Sequence, residues 1–131
     1  MKKLLIGLLL IATSTSAIAE WKYVTPSIDG DMNVYVDLQS ILKTNYGYKM
    51  WVLYDYKTVK KLVDFKYRSF KTLNEYDCKN QKKRAFNMVW FTGNMGTGKI
   101  SYFDSSVDDW TYFPPDSFDA INSKIACDIG Q

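Results

Sequence analysis

The sequence predicts an α+β domain: about six antiparallel strands, a C-terminal helix packed on the sheet, and one disulfide. Three observations carry this expectation. Several segments before residue 105 alternate apolar and polar side chains with a period of two. The tail after Pro114-Pro115 changes to helical spacing. Two cysteines, Cys78 and Cys127, occur in a chain whose first residues read as an export signal.

The elements follow in order. Residues 21–25 form a short aromatic strand. Val34, Val36 and Leu38 alternate with Asn33, Tyr35 and Asp37, the pattern of a half-buried strand. Asn45-Tyr46-Gly47 is a tight turn. Residues 48–56, "YKMWVLYDY", place Tyr48, Met50, Val52, Tyr54 and Tyr56 on one face and Trp51 and Leu53 on the other. Apolar groups on both faces predict a central strand covered on both sides, at least in part. Residues 63–76 alternate again, with Val63, Phe65 and Tyr67 opposite Asp64, Lys66 and Arg68. Residues 84–92 place Phe86, Met88 and Trp90 on one face and Ala85, Val89 and Phe91 on the other. Residues 99–104 make a further strand. Residues 115–126 form the helix: proline suits its first turn, Asp116 and Asp119 lie near its positive end, and Phe118, Ile121 and Ile125 share a stripe.

Residues 1–19 read as a cleavable secretory signal. Lys2 and Lys3 precede an apolar run from Leu4 to Ile11, and Ala17-Ile18-Ala19 supplies the small residues a signal peptidase reads. The run is shorter than the roughly 20 residues of a membrane span. Cleavage leaves residues 20–131 as a single domain, soluble and exported to the periplasm or beyond. No transmembrane segment is expected in it, and no cysteine near the cut offers a lipid-anchor site.

The whole chain carries 17 basic and 14 acidic residues. The charges are segregated: residues 49–84 hold 11 basic and 4 acidic side chains, residues 101–131 hold 1 and 6. Such asymmetry favours an anionic partner or head-to-tail self-association. The stretch 54–71, "YDYKTVKKLVDFKYRSFK", interleaves aromatic and cationic groups. Its Lys57, Lys60, Lys61, Lys66, Arg68 and Lys71 are the candidate binding residues, for a protein or an anionic polysaccharide. Export argues against nucleic acid as the partner.

The chain has no histidine, which removes Ser-His-Asp catalysis, His-based zinc sites and the usual base for a catalytic thiol. The cysteines are therefore expected to pair, closing a loop of about 50 residues. The adjacent Asp108-Asp109 would point opposite ways on an extended chain. "DGDMN", residues 29–33, resembles half a calcium loop, but Ser40 stands where the bidentate Glu belongs, so a turn is expected. "FTGNMGTGKI", residues 91–100, matches the phosphate-loop pattern up to Ile100, which replaces the Ser or Thr that would hold Mg²⁺. A helix should follow such a loop. Here "KISYFD" alternates like a strand, so a glycine-rich hairpin loop is expected. No catalytic residue, cofactor or metal ligand is assigned, and the chain is read as a non-enzyme.

The segments "VYVDLQSI", "MWVLYDY", "EYDC", "KKRAF", "GNMGTGK" and "WTYFPPDS", followed by Cys127, resemble the surface-adhesin protein E-like family of Gram-negative bacteria over nearly all of the exported domain. The resemblance implies a glycine loop joining two strands, paired cysteines and a helix on an antiparallel sheet. It further implies an adhesin-type protein that binds host extracellular-matrix proteins or plasminogen, and a module able to form homodimers. The chain departs from the family's lipid-anchored pattern in lacking a cysteine at the cleavage site. The alternative is a periplasmic inhibitor or envelope-assembly factor with no adhesin role.

Overall fold

A computed structural model describes residues 19–131, so the signal-peptide expectation lies, apart from Ala19, outside the described residues. Seven strands follow one another: β1 (Lys22–Pro26), β2 (Met32–Lys43), β3 (Gly47–Leu62), β4 (Phe65–Asp77), β5 (Lys82–Phe91), β6 (Ile100–Asp104) and the two-residue β7 (Thr111–Tyr112). A helix, α1 (Phe118–Gly130), ends the chain. The sheet order is β1-β2-β3-β4-β5-β6, with β7 added beside β5, and every pairing is antiparallel. From β1 to β6 this is a meander: each strand pairs with its sequence neighbour, as antiparallel strands joined by hairpin connections can. Asp29-Gly30 forms the first turn. The Asp29 carboxylate accepts from the Ser27 hydroxyl and the Asp31 amide, and Gly30 takes the left-handed φ of 74°.

Period-two alternation builds the core. Met32, Val34 and Val36 of β2 and Tyr48, Met50, Val52 and Tyr54 of β3 point to one face, with Tyr76 of β4. Helix α1 lays Ala126 and Cys127 onto them. The Cys78–Cys127 disulfide ties the helix to the turn after β4. The helix begins later than the sequence predicts. Ser117, extended, caps it by accepting the Ala120 amide on its hydroxyl, while Asp116 sits in a turn at φ 64°. The capping side chain, rather than the prolines, sets the start. The far end runs four residues beyond the predicted Ala126.

Two departures from simple alternation matter. Between β4 and β5 the register shifts: Leu73 opposes Asn87 but Asn74 opposes Ala85, leaving Phe86 as an extra, bulged residue. A bulge reverses parity. Ala85 therefore joins Met88 on the helix side, and the predicted Phe86–Met88–Trp90 face does not exist. The second departure is Val63. It is not a strand residue but the first of the two turn residues joining β3 to β4, at φ 50°. Strand β3 also runs on through Leu62, past the predicted end at Tyr56.

Gly47 shows how tightly the start of β3 packs against the end of β4. A Cβ there would lie 2.1 Å from the Tyr76 carbonyl oxygen. Backbone cannot move aside cheaply, so Gly47→Ala is expected to destabilise the protein by about 3 kcal/mol, measured by urea unfolding. A loss within experimental error would contradict this packing.

Candidate binding face

Strand β3 is covered on its second side only in part: Leu53, on the face away from α1, is fully buried, while Lys49, Trp51 and Asp55 beside it are half-buried. The cover is the glycine loop between β5 and β6, which makes one short helical turn at Asn94–Gly96 and folds down onto the sheet. The loop closes as a hairpin. The Thr92 amide donates to the Lys99 carbonyl and the Gly93 amide to the Thr97 carbonyl, with Gly96 at φ 69° and Gly98 at φ 80°. Amides of such a loop could hold an anion, but here protein groups take them. The Met95 amide donates to Asp55 Oδ1 (2.7 Å) and the Gly96 amide to Ser69 Oγ (2.9 Å). Asn94 Nδ2 also donates to Asp55 Oδ1 and to the Tyr56 carbonyl. The loop's anion is thus the carboxylate of Asp55, supplied by the sheet itself.

Beyond this loop the same sheet face lies open. Residues 49, 51, 53 and 55 of β3 share it with residues 69, 71, 73 and 75 of β4, as strand alternation requires. Arg84, Asn87, Val89 and Phe91 of β5 continue it through their pairing. Cations lie over aromatic rings across it. Lys49 Nζ is 3.8 Å from the Phe86 ring centroid. Lys71 Nζ is 5.0 Å from Trp51 and 5.7 Å from Phe91. The Arg84 guanidinium is 4.5 Å from Trp110, 5.1 Å from Phe86 and 5.3 Å from Tyr46. Lys82 approaches Trp110 at 5.4 Å, and Trp110 meets Tyr46 edge-on. Arg84 Nε also donates to Oε1 of the buried Glu75 at 2.8 Å.

Each ring face attracts its cation by about 0.5–1 kcal/mol and holds the flexible side chain in place. Trp51, Lys49, Lys71 and Arg84 are all only half-buried. The result is a set of positioned cations between flat apolar surfaces, suited to carboxylates flanked by apolar side chains.

The six basic residues named from the sequence are spread over several surroundings. Lys71 belongs to this open face. Arg68 donates to Asn94 Oδ1 at the rim of the glycine loop (3.4 Å). Lys60 forms an ion pair with Asp31, whose hydrogen bond raises the lysine pKa and lowers that of the aspartate. Lys57, Lys61 and Lys66 are exposed on the projecting β3–β4 hairpin, with Lys61 directly opposite Lys66. Sequence reasoning missed Lys49, Lys82 and Arg84. The signal for Lys49 was present: it stands two residues before Trp51, so both face one way. Arg84 could not be placed, because the bulge at Phe86 hides its parity.

The helix side of the sheet carries a run of stacked aromatics. Tyr54 stacks on Phe70 at 4.7 Å and Phe70 on Trp90 at 5.8 Å. Burial pushes the Tyr56 phenol up to about 12 and that of Tyr54 further. Asp108 and Asp109 both border a cleft of about 200 Å³ beside Thr72, Asn74 and Lys83. The segment holding them is not a regular strand, so the divergence expected of an extended chain does not apply.

Among the described residues no helix is long and apolar enough to cross a membrane. A family model described as surface-adhesin protein E matches residues 21–128. Among solved structures, crystal form II of Haemophilus influenzae protein E is similar with a TM-score of 0.62 at 13% identity, over 88% of this chain and 97% of that one. A selenomethionine form of the same Haemophilus influenzae protein gives 0.62 and 13% over 85% and 91%. No curated protein sequence matches the chain. At such low identity the structural likeness concerns the fold.

Proposed function

The chain belongs to the surface-adhesin protein E family, and from that premise we propose that it is an exported, non-enzymatic binding protein that holds acidic segments of a protein ligand on its open sheet face. The observation that carries this reading is the cation–aromatic array of Lys49, Lys71, Arg84, Trp51 and Phe86. A host extracellular-matrix protein or plasminogen is the ligand class that the family resemblance implies. Rings supply apolar area and hold the cations ready, so little side-chain entropy is lost when carboxylates arrive. A second copy of the chain, offering its acidic C-terminal segment, would compete for the same face.

Binding to immobilised matrix protein or plasminogen is expected to weaken with salt. The double variant Lys49→Ala, Lys71→Ala should lose about tenfold in affinity, about 1.4 kcal/mol, with its circular dichroism unchanged. Unchanged affinity would remove this face from the account. Tighter capture by heparin, abolished in the same variant, would replace the protein ligand by an anionic polysaccharide. Cell fractionation tests the location: recovery from the periplasm alone would favour an inhibitor or envelope-assembly role over adhesion.

A further inference from the structure

The β3–β4 hairpin outruns its neighbours. Among the described residues, the pairing of β2 with β3 ends at Met32↔Tyr56, and that of β4 with β5 ends at Ser69↔Phe91. The Lys57 amide still donates to the Asp31 carbonyl (2.8 Å), and beyond it residues 58–68 form a two-stranded ribbon, paired from Lys60↔Tyr67 to Leu62↔Phe65. It is anchored at its side, not loose: Phe65 stacks on Tyr102 of β6 at 5.1 Å and 8°, and Ser101 Oγ donates to the Lys66 carbonyl at 2.7 Å. The outer end is aliphatic. Val59 is 53%, Leu62 43% and Val63 87% exposed.

Val63 is the telling residue. The turn has a positive φ at its first central position and not at its second, as in a type II′ hairpin, where glycine is favoured. A β-branched residue at φ 50° is strained, by about 1–3 kcal/mol. The hairpin thus carries a β-branched apolar side chain at its exposed turn, in a conformation that glycine would adopt with less strain. Behind this tip stand Lys57, Lys61 and Lys66, all exposed, with Asp64 the one carboxylate in the turn. Lys60 is held by Asp31.

We propose that this hairpin tip is a wedge that inserts Leu62 and Val63 into an anionic lipid surface while Lys57, Lys61 and Lys66 contact the headgroups. The arrangement is graded by depth: aliphatic groups foremost, ammonium groups on long stems just behind. A convex tip offers no pocket to a protein side chain. A soluble polyanion would engage the lysines but give nothing to the aliphatic end. A bilayer meets both, through burial of methyl groups and attraction of each lysine to a negative surface.

The test uses protein recovered after export, with its N-terminus verified by mass spectrometry, sedimented with vesicles of phosphatidylcholine alone or mixed with phosphatidylglycerol. The wild type is expected to bind the anionic vesicles and to be released by salt. Val63→Gly should fold at least as stably, since glycine accepts the φ, yet bind the vesicles about tenfold more weakly. Leu62→Ser should weaken binding similarly. Replacing Lys61 and Lys66 by alanine should cost roughly fivefold per lysine. Equal binding to neutral vesicles, or undiminished vesicle binding by both Val63→Gly and Leu62→Ser, would overturn the proposal. So would heparin binding that falls only with the lysines while vesicles are ignored, which would make the hairpin a polyanion site.

Discussion

Removing the Cys78–Cys127 bridge by a double change to alanine is expected to cost about 4 kcal/mol of stability, because it frees a closed loop with a sequence separation of 49. For a domain of this size that corresponds to roughly 15 °C in melting temperature. The effect should exceed that of an ordinary core truncation for a structural reason. The bridge is the covalent tie between helix α1 and the turn after β4. The helix covers Val34, Val36, Met50 and Val52, which are fully or almost fully buried. Without the bridge its detachment would expose that surface. Reduction of the wild type should reproduce the loss. Melting curves compared with and without reductant check it, and a shift of only a degree or two would show that packing alone secures the helix.

Arg84→Ala is expected to destabilise the protein by about 4 kcal/mol. Its partner Glu75 has a side chain only 3% exposed, against 24% for Arg84. Deleting the arginine leaves a buried carboxylate with its charge uncompensated, which is costlier than the pair's own attraction is worth. The same change removes the guanidinium that lies against Trp110, Phe86 and Tyr46, and so loosens one end of the open face. Replacing both partners with apolar residues, Glu75→Leu with Arg84→Met, should recover most of the loss. Urea titrations of the two single variants and the double variant complete the cycle. If Arg84→Ala cost less than 1 kcal/mol, the Glu75 carboxylate would have to be finding water or another donor.

Much of the fold was legible because the signals were local. Alternation in "NVYVDL" and "YKMWVLYDY" marks β2 and β3 wherever the strands end up, since a period of two is a property of the backbone. The glycine spacing of residues 93–98, followed by an alternating segment, marked a hairpin loop. The structure adds why it is no phosphate loop: Asp55 and Ser69, 38 and 24 residues before Gly93, already hold its amides. The errors fall where a single residue changes the count. Phe86 bulges and reverses the parity of everything before it on β5. Val63 reads as a strand former but turns, because the tertiary register of β3 on β4 places the hairpin there against local preference.

The candidate site was less legible for the same reason. A run such as "YDYKTVKKLVDFKYRSFK" shows that cations and rings are close in sequence, not which of them share a surface. The array on the open face draws Lys49 and Trp51 from β3, Lys71 from β4, Arg84 and Phe86 from β5, Tyr46 from a turn and Trp110 from a loop.

By itself, then, the sequence determined the strand content, the glycine hairpin, the pairing of the cysteines and the segregation of charge, because each depends on residues within a few positions or on a count. Tertiary structure alone decided which face α1 covers, which cations sit over rings, and how far the β3–β4 hairpin projects. Those depend on register between strands, and one bulged residue is enough to move a side chain from one face of the sheet to the other.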